Sequence, residues 1–254
     1  MRQFLQQLIN GLSLGSIYAL IALGYTMVYG IINLINFAHG DIYMLGAYIG
    51  FAATTFFHLS FIPALLVSMF SCAIIGIIVE KVAYKPIRNS TRIAALITAI
   101  SVSLFIEYGT MYFVNAETRT FPPVLENNSI KLFSGNVILN TIDIYIIVIT
   151  VILMLLLQYI IYKTKIGKAM RAVAMDKEAA QYMGVSIDRT ISFTFAIGSA
   201  LAGVAGVLIG VYYNSINPLM GVVPGLKAFV AAVIGGIGII PGAVFGGYLL
   251  GMTE

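Results

Sequence analysis

Residues 163–189 read KTKIGKAMRAVAMDKEAAQYMGVSIDR, the one long charged stretch in an otherwise apolar chain. It lies between the uncharged runs Ile144 to Tyr162 and Thr190 to Leu226, each long enough for at least one membrane span of about 20 residues. Within it, Glu178-Ala179-Ala180 is followed four residues later by Gly184. Ala179, Ala180 and Met183 lie three or four positions apart and share one small apolar face of a helix, while Glu178 and Gln181 stay polar. A face of small residues seats deeply in a partner's groove. Gly184 then permits the sharp reversal that returns the chain to the membrane through Val185-Ser186-Ile187. The spacing predicts a short coupling helix held just outside the bilayer, gripped by a soluble partner. Lys163, Lys165 and Arg171 around it are accounted for by the positive-inside bias alone.

Composition sets the class around this loop. The chain is 60% hydrophobic and 9% charged, against about 25% charged in soluble domains. This is an all-α, polytopic transmembrane helix bundle forming a single domain over residues 1–254. Runs free of charge from Gln3 to Ala38, Ile42 to Val79 and Ala228 to Thr253 agree. Charges, prolines and polar clusters divide the chain into expected spans near 8–30, 40–57, 62–80, 93–114, 142–162, 190–212 and 226–253. The first segment continues into further membrane sequence without an A-x-A-like cleavage site, so it is expected to stay in place. Cys72, the single cysteine, is expected to be a small buried hydrophobe.

Two loops carry ten of the 14 lysines and arginines: Lys81, Lys85, Arg88 and Arg92 in one, and Lys163, Lys165, Lys168, Arg171, Lys177 and Arg189 in the other. Both are expected on the cytoplasmic side. Residues 115–141 balance Arg119 and Lys131 against Glu117 and Glu126, and with Pro122-Pro123 read as an irregular connection on the opposite side. Counting back from the loop at 81–92 through three full spans puts the N-terminus outside, whereas Arg2 favours inside. A re-entrant or broken segment around Gly30 to Asp41 resolves the conflict, since non-helical backbone is tolerated at membrane depth where protein or water satisfies it.

That segment, GIINLINFAHGDIYMLGAY from Gly30 to Tyr48, places Asn33, Asn36, His39 and Asp41 between two hydrophobic flanks. Ionisable residues near the bilayer centre are costly, face the bundle interior or an aqueous cavity, and often mark a transport path. The alternative is a solvated turn at His39-Gly40-Asp41, with Asp41 capping the next helix. Glu107 stands fifteen residues after Arg92, at about 1.5 Å per residue, and so lies past the midplane. An interfacial or cavity-facing carboxylate is expected there rather than a proton relay.

Twenty-five glycines suit association of helices in lipid, where small residues let backbones approach. Gly238, Gly242 and Gly246 recur every fourth residue, and with Gly235-Gly236 and Pro241 they predict either a tightly packed helix face or a broken helix. The glycine-interrupted regions near 30–50 and 221–247 are candidate discontinuous elements of two halves, without a residue-level repeat. No G-x-x-x-x-G-K-[ST] occurs, so the chain is not expected to hydrolyse nucleotide itself. Two histidines and one cysteine provide no conventional zinc site, and no H-E-x-x-H or G-x-S-x-G is present.

Three long stretches carry a resemblance: GLSLGSIYALIALGYTMVYGIINLINFAHGDIYMLGAY (11–48), RAVAMDKEAAQYMGVSIDRTISFTFAIGSALAGVAGVL (171–208) and LKAFVAAVIGGIGIIPGAVFGGYLLG (226–251). Through them the chain resembles permeases of the branched-chain amino acid ABC importers, of the LivH type, over essentially its whole length. The resemblance implies a bacterial inner-membrane importer subunit that pairs with a second homologous permease. It further implies two cytoplasmic ATPase subunits that bind ATP and Mg, and an extracytoplasmic substrate-binding protein delivering leucine, isoleucine or valine. This chain itself is expected to be no enzyme and to hold no cofactor, and nucleic acid is not an expected partner. By the match, Glu178, Ala179, Ala180, Met183 and Gly184 take the ATPase-coupling role, and Asn33, Asn36, His39 and Asp41 become a candidate translocation pathway. Members of that family continue through a further hydrophobic segment, so truncation at the C-terminus is expected. The same importer type acting on urea or amides, a secondary transporter and a channel-like membrane component are the alternatives.

Overall fold

The computed structural model describes residues 2–32, 34–88, 90–125, 129–132 and 137–254. Its helices are α1 (Arg2–Ile32), α2 (His39–Thr55), α3 (Phe61–Val79), α4 (Lys85–Ile87), α5 (Arg92–Val114), α6 (Thr141–Lys163), α7 (Lys165–Met175), α8 (Lys177–Tyr182), α9 (Ile187–Tyr213), α10 (Val222–Gly235) and α11 (Ile240–Thr253). A π-helical turn, Glu80–Tyr84, joins α3 to α4. Four short strands, β1 (Arg119–Thr120), β2 (Ser129–Leu132), β3 (Val137–Asn140) and β4 (Ser215–Ile216), form two antiparallel pairs, β1 with β4 and β2 with β3. The connection at 115–141, expected to be irregular, therefore carries a small hairpin and a strand that reaches across to the end of α9.

Helix starts follow local chemistry. Thr91 Oγ1 accepts from the Ala94 amide at 3.3 Å to begin α5. At α6 the Asn140 amide donates to Asp143 Oδ2 at 3.2 Å within a capping box. Each cap satisfies a backbone N–H that has no partner within its own helix. Pro241 sits in the first turn of α11, where a missing N–H costs nothing.

Among the described residues, five helices are long and apolar enough to cross a membrane: Gln6–Ile32, Phe61–Ile87, Ile93–Val114, Thr141–Lys163 and Ile187–Tyr213. The first and last are 89% and 83% buried within the protein, the middle three 33%, 22% and 22%. So α1 and α9 form the centre, while α3, α5 and α6 turn large apolar side chains outward, as lipid-facing helices do. Two of the seven expected spans take another form. The segment 40–57 is α2, whose 17 residues extend about 25 Å and do not start at a membrane face. The segment 226–253 is interrupted at 236–239 and folds as the pair α10 and α11, each 14 residues. At about 21 Å each, neither covers the ~30 Å hydrocarbon core.

Close backbone crossings hold the bundle. A Cβ on Gly46 of α2 would lie 2.5 Å from Gly203 Cα of α9. At that crossing Ser68 of α3 lies 2.8 Å from Gly46 O and 3.1 Å from Gly203 O. Contact of this kind supplies helix association in lipid, where burial of apolar area gives no net drive.

The two basic connections lie at one end, joined by Lys85–Asp188 and Arg88–Asp188 ion pairs at 2.7 Å. Gln6, near the start of α1, bonds both the carbonyl and the amide of Ile138 in the 115–141 connection, at 3.0 and 2.9 Å. The start of α1 is therefore at the end opposite the basic loops, which the positive-inside bias places in the cytoplasm.

Candidate functional site

At the end that carries the basic loops, α7 and α8 form an elbow built by two caps. Thr164 Oγ1 accepts from the Gly167 amide at 3.1 Å, and Asp176 Oδ1 accepts from the Glu178 and Ala179 amides at 2.9 and 3.0 Å. The far end of α8 is closed by bonds from Gly184 N to Gln181 O (2.9 Å) and Val185 N to Ala180 O (3.0 Å). Gly184 sits at φ +81°, so this is a Schellman stop that needs a residue without Cβ strain. Tyr182 and Met183 are 89% and 87% exposed, and Met175 is 90% exposed. Glu178 and Ala179 are exposed beside them. The expectation that Ala179, Ala180 and Met183 share one outward face is corrected: Ala180 is buried against the protein, because its carbonyl closes the Schellman turn and its methyl packs inward.

Behind this elbow lies a polar cluster that no sequence motif singled out. Glu80, fully buried, accepts from Arg88 at 2.8 Å and from Ser192 Oγ of α9 at 2.7 Å. Arg88 also reaches Asp188 Oδ1. Burial and the nearby Arg88 guanidinium hold the Lys177 ammonium of α8 below its ordinary range. One turn after Glu80, Tyr84 donates to Asn36 Oδ1 at 2.8 Å, and its ring packs on Phe195 of α9 with centroids 5.2 Å apart. Two separate sets of polar contacts thus lie between the elbow and the segment joining α1 to α2: the Glu80–Arg88–Asp188 ion pairs with Ser192, and, one turn on, the Tyr84–Asn36 bond. Glu80 at the end of a long apolar run was the available signal, since a buried carboxylate requires a partner.

The segment after α1 turns back into the bundle. His39 packs so closely on α1 that a Cβ at Gly24 would lie 2.2 Å from His39 Nε2, and Gly24 stands eight residues, about 12 Å, before the end of α1. The chain at 34–38 therefore climbs from the end of the bundle that carries the basic loops to roughly mid-depth before α2 begins. His39 and Asp41 are 1% and 2% exposed, which excludes a solvated turn. Asp41 lies in the first turn of α2, whose N-cap residue Ala38 makes no side-chain cap, and its carboxylate accepts from Ser103 Oγ of α5 at 2.5 Å. Asn36 is buried at the Tyr84 contact, and Asn33 lies outside the described residues.

The second broken element meets the first there. A Cβ on Gly40 would lie 2.5 Å from Gly221 O and 3.2 Å from Gly225 Cα, so α10 begins at the depth where α2 begins. At its other end, a Cβ on Gly30 would lie 3.1 Å from Gly238 Cα. Gly238 adopts φ +94° in the turn between α10 and α11, so the three glycines do not share one helix face. Gly242 and Gly246 do lie on α11, where they pack against the backbone of Gly235 and Ala231.

Beside this junction is a cavity of about 210 Å³ whose walls include Tyr25, Asp41, Ser103, Glu107, Gly221 and Leu226. Ser103 and Glu107 are one turn apart on α5 and share a face. An apolar groove of about 470 Å³ lies between α2 and α5, with Leu45, Ile49, Phe105 and Ile106 in its walls and Arg119 at its outer edge.

The family described as "Branched-chain amino acid transport system / permease component" matches residues 7–254. The chain is 44% identical over 261 residues to the high-affinity branched-chain amino acid transport system permease protein BraD of Pseudomonas aeruginosa, covering 99% of this chain and 85% of that protein. It is 44% identical, with the same coverage, to LivH of Escherichia coli. It is 29% identical over 246 residues to a probable LivH of Methanocaldococcus jannaschii, covering 94% and 76%. No solved structure matches. With a bundle of apolar helices, a capped elbow on the basic side and a match running from residue 7 to residue 254, the chain belongs to the permease component family of branched-chain amino acid transport systems.

Proposed function

We propose that this chain is one membrane-spanning half of an ATP-driven importer that brings leucine, isoleucine or valine into the cell. A second homologous permease completes the pore, two cytoplasmic ATPases carrying ATP and Mg grip the α7–α8 elbow, and an extracytoplasmic binding protein delivers the substrate. The observation that carries this reading is the elbow itself: Met175, Tyr182 and Met183 are exposed at the basic end, with the Glu80–Arg88–Asp188 ion pairs behind it and the Tyr84–Asn36 bond one turn further on. Three large exposed apolar side chains outside the bilayer suit insertion into a protein groove. Displacement of the elbow by nucleotide-driven ATPase closure would move the broken segment at Asn36–His39 and open the path beside α2. Selectivity then rests chiefly with the delivery protein.

The test is uptake of labelled leucine into proteoliposomes holding the whole complex. Uptake should require ATP inside the cytoplasmic compartment and the loaded binding protein. Uptake driven instead by a proton or sodium gradient, without ATP, would show a secondary transporter.

A further inference from the structure

We infer that the cavity between α2, α5 and α10 is a mid-membrane station for the ammonium group of an aliphatic amino acid, held by Asp41 and Glu107; this rests on the importer reading above. Glu107 is 8% exposed and, among the described residues, has neither a hydrogen bond nor an ion-pair partner in the protein. Asp41 has Ser103 as its one side-chain donor. None of the residues lining the cavity is a lysine or arginine. Two carboxylates facing one small cavity repel each other when both are charged, and a cation between them removes that repulsion. The Glu107 carboxylate opens on this cavity, where a cation from outside the chain can meet it.

The remaining walls choose among cations. Ile100, Leu104, Val222 and Leu226 suit a branched hydrocarbon chain. The start of α10 borders the same space, and the positive end of its helix dipole favours a carboxylate. A volume of about 210 Å³ is many times what a single water or bare ion needs, so the space takes a molecule rather than one ion. Ser103 is eleven residues, about 16 Å, along α5 from Arg92, near the middle of the ~30 Å core.

The experiment uses the complete importer in proteoliposomes, with labelled L-leucine. Glu107→Gln should lower uptake at least about tenfold while ATP hydrolysis stimulated by the loaded binding protein persists, and Glu107→Asp should recover much of the uptake. Wild-type uptake with Glu107→Gln transporting equally well overturns the station and leaves the importer reading standing; no ATP-dependent uptake by the wild type overturns the importer reading itself. Replacing sodium and potassium with choline should leave wild-type uptake unchanged, and a loss would assign the carboxylates to an inorganic cation and overturn the proposal. A second measurement keeps both carboxylates: Ser103→Cys in a Cys72→Ala background should react faster with 2-aminoethyl methanethiosulfonate than with the neutral methyl reagent, and leucine should slow it. Equal or slower reaction with the cationic reagent counts against the station.

Discussion

Tyr84, in the π-helical turn beside the basic loops, donates a 2.8 Å hydrogen bond to Asn36 Oδ1 in the broken segment before α2. Both residues are buried. A π-turn widens the helix by one residue and re-aims the side chains after it, and here it turns Tyr84 into the bundle rather than along the α3 face. The bond joins the turn that also holds Glu80 to the segment leading into α2, which carries Asp41.

Tyr84→Phe should therefore weaken transmission more than stability. The change leaves Asn36 Oδ1 buried without its donor, at about 1–3 kcal/mol. ATP hydrolysis by the assembled importer should persist, with fewer leucine molecules taken up per ATP. An unchanged ratio would show that this bond carries no motion.

Glu80 tests the cluster itself. Its carboxylate is buried between Arg88 and Ser192, and removing one partner of a buried pair costs about 3–5 kcal/mol. Arg88→Ala should lower the thermal midpoint of the detergent-purified subunit sharply. Adding Glu80→Gln should restore part of the loss, because the uncompensated charge is then gone.

The elbow is tested by its two ends. Asp176→Ala removes a cap worth about 1 kcal/mol, and Gly184→Val forces a β-branched residue to φ +81°, against a left-handed cost of about 1–2 kcal/mol or more. Both lie outside the spans, so membrane insertion should be normal. Co-purification with the ATPase subunits should fall for Asp176→Ala and be lost for Gly184→Val.

Glycines divide by what faces them. A Cβ on Gly235 would lie 1.9 Å from Gly242 O, so Gly235→Ala should part α10 from α11 and destabilise by about 1–3 kcal/mol. Gly109 has nothing within 4 Å of such a Cβ and sits inside α5. Gly109→Ala should be neutral or stabilising by up to about 1 kcal/mol, measured by thermal unfolding in the same detergent.

Much of the architecture was legible because lipid imposes simple rules. The apolar runs and the basic loops at 81–92 and 163–189 read directly as spans and as one shared side. The elbow was legible because an N-cap and a glycine stop are local chemistry: Asp176 and Gly184 act on backbone within four residues of themselves. The last span was ambiguous because glycines every fourth residue suit a packed face and a break equally. Gly236 and Gly238 resolve as the break, and Gly235, Gly242 and Gly246 as close packing between α10 and α11.

What depended on distant partners was not legible. Nothing in the order of residues pairs Tyr84 with Asn36, Glu80 with Ser192, or Asp41 with Ser103, residues 48, 112 and 62 positions apart. By itself the sequence determined that this chain lives in a membrane, that its two basic loops share one end and where the capped elbow between α6 and α9 stands, since hydropathy, charge bias and caps act over one helix or less. Only the tertiary structure decided that two broken helices start at one depth, Gly40 against Gly221, and that Asp41 and Glu107 open on the same cavity. Those arrangements are selected by backbone approach and by burial of charge, and both exist only once the helices have packed.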